Sequence, residues 1–242
     1  MKIVLVLLCL ISFHVTFSQE LEALVIYEAT LINDNIVDSS FDIHLSTKQD
    51  VALSEKAVLF HLIIDGNEAI YRPEYDLPTK RKLGFKYDKT AVIALHDRIY
   101  YTNSDTGESS FQSFWIKDIL VSTDTIEWEL EEESKKVGQH ICYKATAEIH
   151  SKQLSGMDYT APVTAWYTTE IPISVGIQNF NGLPGLIMEL DAHHEKGTVR
   201  FTALDIQLPP KHEIEIERPI GKNKISHEEF LRMIEKLNKN RM

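Results

Sequence analysis

The chain is expected to be mainly β: a single curved antiparallel sheet or half-barrel with a short carboxyl-terminal helix. Three observations lead there. Several segments alternate apolar and polar residues with period two, the mark of a half-buried strand. Asp65-Gly66-Asn67 lies between two apolar runs and reads as a hairpin turn. Only one segment, near the end, carries a helix start signal followed by helical spacing. Many short strands, few helices and adjacent hairpins give a meandering sheet, curled or closed.

Taken in order, the first residues read as a secretory signal peptide. Lys2 supplies the positive charge, Ile3 to Ile11 is unbroken apolar chain, and Thr16-Phe17-Ser18 offers small residues for cleavage before Gln19. Residues 1–18 are therefore expected to be removed, leaving 19–242 as one β-rich domain. A spanning helix needs roughly 20 apolar residues, and Ser12, His14 and Thr16 interrupt this run; no later stretch reaches that length. Cys9 follows Leu8, which is too large for an acylation signal. An exported protein of the periplasm, outer membrane or exterior is the expected location.

Ala57 to Ile64 and Glu68 to Tyr71 flank the Asp65 turn. Pro73 to Lys89 has two prolines, a Lys80-Arg81-Lys82 run and no periodicity, so a long surface loop is expected. A second loop is expected from Asn103 to Ser110. Thr125 to Glu131 alternates, with Ile126, Trp128 and Leu130 on one face. Ile141 to Ile149 alternates again, and Ile141, Tyr143, Ala145, Ala147 and Ile149 share a face. Met188 to Asp191 and Gly197 to Gln207 flank a turn at 192–196. In the second strand the apolar parity slips between Val199/Phe201 and Leu204/Ile206, which predicts a bulge. Ser226 followed by Glu229 is a capping box, and Phe230, Met233, Ile234 and Leu237 continue at helical spacing over about 226–239.

Composition narrows the function classes. The whole chain holds 25 basic and 36 acidic residues. Without Lys2 the balance is 24 against 36, a formal −12. Such a chain has no electrostatic case for nucleic acid or an anionic membrane surface. Cys142 is the one cysteine after Cys9, so no internal disulfide is expected and a packed core must supply stability.

Three motifs between Gly138 and Ile187 carry a resemblance. Gly138-Gln139-His140-Ile141-Cys142-Tyr143-Lys144-Ala145-Thr146-Ala147 is followed by Thr164-Ala165-Trp166-Tyr167-Thr168-Thr169-Glu170-Ile171-Pro172, and then by Gly182-Leu183-Pro184-Gly185-Leu186-Ile187. In this order they resemble the GLPGLI family, exported Bacteroidota proteins of uncharacterised function. Two departures stand out. Ser151 to Tyr159 replaces an Arg-Gly-Arg-like turn, and Gly176-Ile177-Gln178-Asn179-Phe180 keeps only the ends of a Gly-Pro-aromatic-Lys-Phe run. The resemblance implies a curved sheet similar to periplasmic lipoprotein carriers, which is a statement about fold and not function. Read from its residues, the hexapeptide is a tight turn: two glycines around a proline, feeding an apolar strand.

The candidate binding strip follows from alternation. Cys142, Lys144 and Thr146 share one strand face with His140 and Glu148; Trp166, Thr168 and Glu170 share another with Thr164. Paired face to face, they would form a polar strip with one tryptophan and a Lys144–Glu170 ion pair. The bland alternative, a solvated face of routine cross-strand pairs, carries equal weight. His193, His194 and Glu195, with Asp191 nearby, have metal-ligand chemistry, but the three fall on a predicted turn where alternate side chains diverge, so no metal is expected. No hydrolase elbow, zinc-protease spacing or phosphate loop is present, and no catalytic residue or cofactor is assigned. The expected function is non-enzymatic binding of an apolar or amphipathic small molecule, or of an envelope protein, in the curve of the sheet. The alternatives are an enzyme centred on Cys142, Lys144 and Glu170, and a structural or assembly subunit.

Overall fold

A computed structural model describes residues 21–33, 58–74, 90, 91, 94, 97–152, 158–194 and 197–239. The signal segment 1–18 and almost all of the Pro73–Lys89 loop lie outside these residues. The described strands are β1 (Glu22–Asn33), β2 (Val58–Asp65), β3 (Glu68–Pro73), β4 (Arg98–Asn103), β5 (Glu108–Ser113) and β6 (Ile119–Ser122). They continue with β7 (Glu129–Val137), β8 (His140–Lys152), β9 (Asp158–Thr168), β10 (Leu186–His194), β11 (Gly197–Gln207) and β12 (Asn223–Ser226). One helix follows, α1 (His227–Lys239).

All twelve strands join one sheet in the order β12-β6-β5-β4-β3-β2-β1-β11-β10-β9-β8-β7. Two antiparallel meanders, β1 to β6 and β7 to β11, meet where β11 pairs with β1. The parallel β12/β6 pair extends one end.

This order forces the sheet to curl. β6 and β7 lie ten strand spacings apart in the sheet, about 48 Å at about 4.8 Å each if it were flat. Yet only residues 123–128 join them, and seven residue steps reach at most about 25 Å. The ends must therefore approach one another. The connector is pinned across the opening by Trp128, whose indole Nε1 donates to the carbonyl of Asn181 at 2.9 Å.

The inner face is the core. Ala23, Val25, Tyr27 and Ala29 of β1 alternate inward and are fully buried, as are Phe60 and Leu62 of β2 and Phe201 of β11. Segment 169–185, between β9 and β10, packs onto this face with Ile171, Ile173, Ile177, Phe180 and Leu183. From the other end α1 adds Phe230, edge-on to Phe111 at 5.3 Å. The outer face is covered in part by residues 208–222, which run from β11 to β12. Ile63 and Ile70 point outward yet are only 6 and 3 % exposed. Arg218 fastens this strap beside them, pairing with Glu68 and lying over the Tyr101 ring.

Several local expectations hold and others need correction. Gly66 and Asn67 form the β2/β3 turn, with Gly66 at φ 57°. The parity slip in β11 is a register shift: Ile26 faces Asp205, Tyr27 faces Ala203, and Leu204 has no opposite. The capping box is reciprocal. The Glu229 amide donates to Ser226 Oγ at 3.2 Å, and the Ser226 amide donates to Glu229 Oε2 at 2.9 Å. The Asn103–Ser110 loop is shorter than expected, because β5 begins at Glu108; Asn103 Oδ1 closes the turn by accepting from the amides of Asp105 and Thr106. The expected strand Thr125–Glu131 starts only at Glu129. Its apolar residues divide, with Ile126 and Trp128 packing on the core and Leu130 exposed.

Candidate functional site

The strip of the sequence analysis lies on the outer face of β7 to β11. Lys144 faces Trp166, and Trp166 faces Glu189; Thr146 faces Thr164, and Thr164 faces Asp191. The Lys135 ammonium sits 4.3 Å above the Trp166 ring and 2.5 Å from Glu189 Oε1. Arg200 grips Asp191 with two parallel bonds, Nε to Oδ1 at 2.7 Å and Nη2 to Oδ2 at 2.6 Å. Those bonds raise the guanidinium pKa further. Bidentate geometry of this kind is the stronger form of ion pair.

Lys144 does not reach Glu170. Its ammonium donates to Glu131 and Glu133 at 3.0 and 3.2 Å, and these two carboxylates hold its pKa above the usual lysine value. Thr146 Oγ1 also donates to Glu131, at 3.2 Å. Glu170 falls beyond the end of β9, in the turn. There His140 Nδ1 lies 2.7 Å away and the Ile141 amide donates at 3.2 Å, and together they lower its pKa. The physical reason is length: β9 ends at Thr168, so alternation no longer places Glu170.

Cys142 is fully buried, and burial pushes its thiol pKa up. Its Sγ points to the backbone carbonyl of His140 at 3.8 Å, while the His140 ring goes to Glu170. A buried, protonated thiol without a base is a packing group. Thr168 is also fully buried, and its Oγ1 accepts from the Glu170 amide at 3.3 Å. The strip is thus a ladder of satisfied ion pairs around one tryptophan. Near the predicted turn, Asp191 is taken by Arg200, and His193 Nδ1 lies 2.8 Å from Thr198 Oγ1. Among the described residues no three His, Cys, Asp or Glu side chains come together as a metal would require.

The hexapeptide acts inside the curl. Gly185 presses against the chain at Thr168, where an added Cβ would stand 2.1 Å from the carbonyl oxygen. Gly182 has φ 97°, a region side chains avoid. Leu183, Leu186 and Ile187 are buried to 1 % or less, so the motif delivers three apolar side chains into the core. Asn181, just before it, ties four segments together. Its Nδ2 donates to Thr102 on β4 at 3.2 Å and lies 3.5 Å from Ser109 Oγ on β5. Its Oδ1 accepts from the Gly176 amide at 2.9 Å, and its carbonyl takes the Trp128 bond. Gln178, buried and left-handed at φ 55°, donates to the carbonyl of Ala94 at 3.1 Å.

Beside this segment runs an aromatic row that the sequence did not reveal. Tyr27, Tyr71, Tyr100 and Phe111 succeed one another at ring separations of 6.4, 6.2 and 5.4 Å. The Tyr27 hydroxyl donates to the carbonyl of Ile187 at 2.7 Å. The Tyr71 hydroxyl is buried with no hydrogen-bond partner among the described residues, and burial drives its pKa well up. Arg98 places its guanidinium 4.4 Å from the centre of the Phe111 ring and 5.7 Å from that of Phe230. The signal was scattered over strands with no common spacing, and only the pairing brings it together.

Fold and site together define a curled antiparallel sheet whose concave side is occupied by its own β9–β10 segment. Residues 152–189 match a family described as "protein of unknown function (Porph_ging)". No curated protein matches the chain. Among solved structures, PNGF-II in its C2 crystal form is similar at 14 % identity and TM-score 0.48, covering 88 % of this chain and 32 % of that one. Its P21 form gives 13 % and 0.47, covering 88 and 33 %. The chain thus spans about a third of that protein's length. LprF from Mycobacterium bovis is similar at 12 % identity and TM-score 0.33, covering 83 % of this chain and 90 % of that one. None of these likenesses carries an argument about function.

Proposed function

We propose that the chain is an exported, non-enzymatic binding protein of the GLPGLI type that engages a macromolecular partner through the ends of its sheet. The signal-like residues 1–18 and the three motifs support export and family; the Porph_ging match overlaps two of those motifs. One observation carries the choice of partner. The concave face, where a small apolar ligand would sit, is filled by segment 169–185, with Ile177 and Leu183 at 0 and 1 % exposure. Large apolar side chains stand exposed elsewhere, among them Leu130, Ile141 and Tyr143 toward one end of the sheet and Trp115 and Ile220 toward the other. Exposed apolar groups rimmed by charge suit protein contacts.

The enzyme alternative loses its nucleophile to burial, since Cys142 is fully enclosed. A second reading, carriage of an amphipathic molecule, has one observation in its favour. The Tyr71 hydroxyl, unpartnered among the described residues, lies near Tyr27 and Tyr100, and Tyr100 in turn lies beside the Arg98 charge, a polar handle within an apolar wall.

Native mass spectrometry of the protein purified gently from its own envelope separates the two. A mass free of small molecules, with cross-linkable protein partners, is expected. A stoichiometric co-purified lipid would overturn the choice.

A further inference from the structure

The sheet ends at β7, and this strand carries a charge order that complements itself. Acids fill its first half, at Glu129, Glu131, Glu132 and Glu133, and bases its second, at Lys135 and Lys136. Lys144 reaches both Glu131 and Glu133, so those two share the outer face. Glu132 therefore turns to the other face, in line with Leu130, Ser134 and Lys136, and all four are exposed. Among the described residues neither Glu132 nor Lys136 has an ion-pair partner. On that same face β8 adds Ile141 and Tyr143, at 55 and 38 % exposure, beside Leu130 at 55 %.

We propose that β7 pairs antiparallel with β7 of a second copy of this chain, about a two-fold axis through Ser134. The register follows from symmetry and charge. An axis perpendicular to the sheet keeps each side chain on its own face, so opposed residues must have the same parity and the axis must pass through a residue. Through Glu132 or Glu133 it would set a carboxylate against itself; through Lys135, an ammonium against itself. Through Ser134 it sets a neutral residue against itself, opposes Glu132 to Lys136 and Glu133 to Lys135, and repeats both pairs by symmetry. Charges on an edge strand ordinarily deter pairing; here, among the axes at the centre of the strand, they deter all but one. The same operation keeps the exposed Leu130, Ile141 and Tyr143 of both copies on one continuous face. Because β7 departs from regular pairing with β8 between Leu130 and Ser134, the ladder is short and the association depends on concentration.

This inference rests on the partner-binding reading and supplies one partner for it. Its test is sedimentation velocity on the purified chain over a wide concentration range, with charge-swap variants. Lys136→Glu and Glu132→Lys each set like charges against one another twice and are expected to weaken association at least tenfold. The double variant E132K/K136E restores the opposite-charge pairs and is expected to recover it. An equimolar mixture of the two single variants is expected to associate as a heterodimer. All substituted side chains are exposed, so unchanged circular dichroism is expected throughout. A wild-type chain that stays monomeric at every concentration, or a double variant no better than the singles, overturns the proposal. Either failure, alongside a ligand-free native mass, would leave the partner-binding reading standing with a different partner. A co-purified lipid would remove that reading whatever the charge swaps show.

Discussion

The hydroxyl of Tyr27, on β1, donates to the carbonyl of Ile187, on β10, across a separation of 160 residues. Ile187 closes the hexapeptide and precedes the irregularity in β10, where pairing with β9 jumps from Ile187/Tyr167 to Glu189/Trp166. A skipped ladder position frees a backbone oxygen, and burial makes it costly to leave that oxygen unmatched. Tyr27→Phe removes the donor while keeping the ring. It is expected to lower unfolding stability by about 1–3 kcal/mol. Urea denaturation should show a lower midpoint with an unchanged slope.

Three phenols, Tyr27, Tyr71 and Tyr100, are held above their ordinary range by burial. For each, the unfolded chain releases its proton near pH 10 while the folded chain still holds it. The stabilising difference is therefore complete below about pH 10 and is lost as pH rises from there toward the folded values. The chain should unfold in alkali, with the tyrosinate absorbance of these residues appearing together with the loss of structure. Their titration within an intact fold would show that they are not enclosed.

The hexapeptide should rank its own residues. Gly185→Ala drives a methyl into the Thr168 carbonyl and is expected to cost upward of about 3 kcal/mol or to prevent folding. Gly182→Ala meets open space but must keep φ at 97°, at a cost of about 1–2 kcal/mol. Pro184 is exposed, so Pro184→Ala should stay within about 1 kcal/mol of wild type. Thermal melts of the three variants give the order directly.

On the outer strip the tryptophan is expected to matter and the charges little. Trp166 is 9 % exposed beneath Lys135, and Trp166→Ala should cost about 3–5 kcal/mol. Lys144→Ala and Glu170→Ala break pairs that solvent still reaches, partly buried though they are, and should move the melting temperature only slightly.

Much of the sheet was legible in advance because alternation and turn chemistry are local. The Asp65 hairpin, the slip at Leu204 and the Ser226–Glu229 box each sit within a few residues of their cause. The strip was visible as a face, since a strand's parity is written in the sequence. Its pairing was not. Which lysine meets which carboxylate depends on where β9 stops and on the irregularity between Leu130 and Ser134, and neither leaves a mark in composition. The inner row was less visible still, since Tyr27, Tyr71, Tyr100 and Arg98 meet only after the four strands β1 to β4 pair. The hexapeptide reads as a turn from its glycines, but that it feeds the core follows from the curl.

Hydrogen exchange followed by mass spectrometry over residues 171–187 tests the filled interior most directly. The amides of Phe180, Gly182 and Leu186 donate to the carbonyls of Ile177, Ser174 and Ile171 at 2.8–2.9 Å. If this segment holds the concave face, these amides should exchange as slowly as those of β1 and β11, at rates set by unfolding of the whole chain. Exchange of the segment within seconds, while β1 and β11 stay protected, would mean that the curl opens freely and leaves room for a ligand.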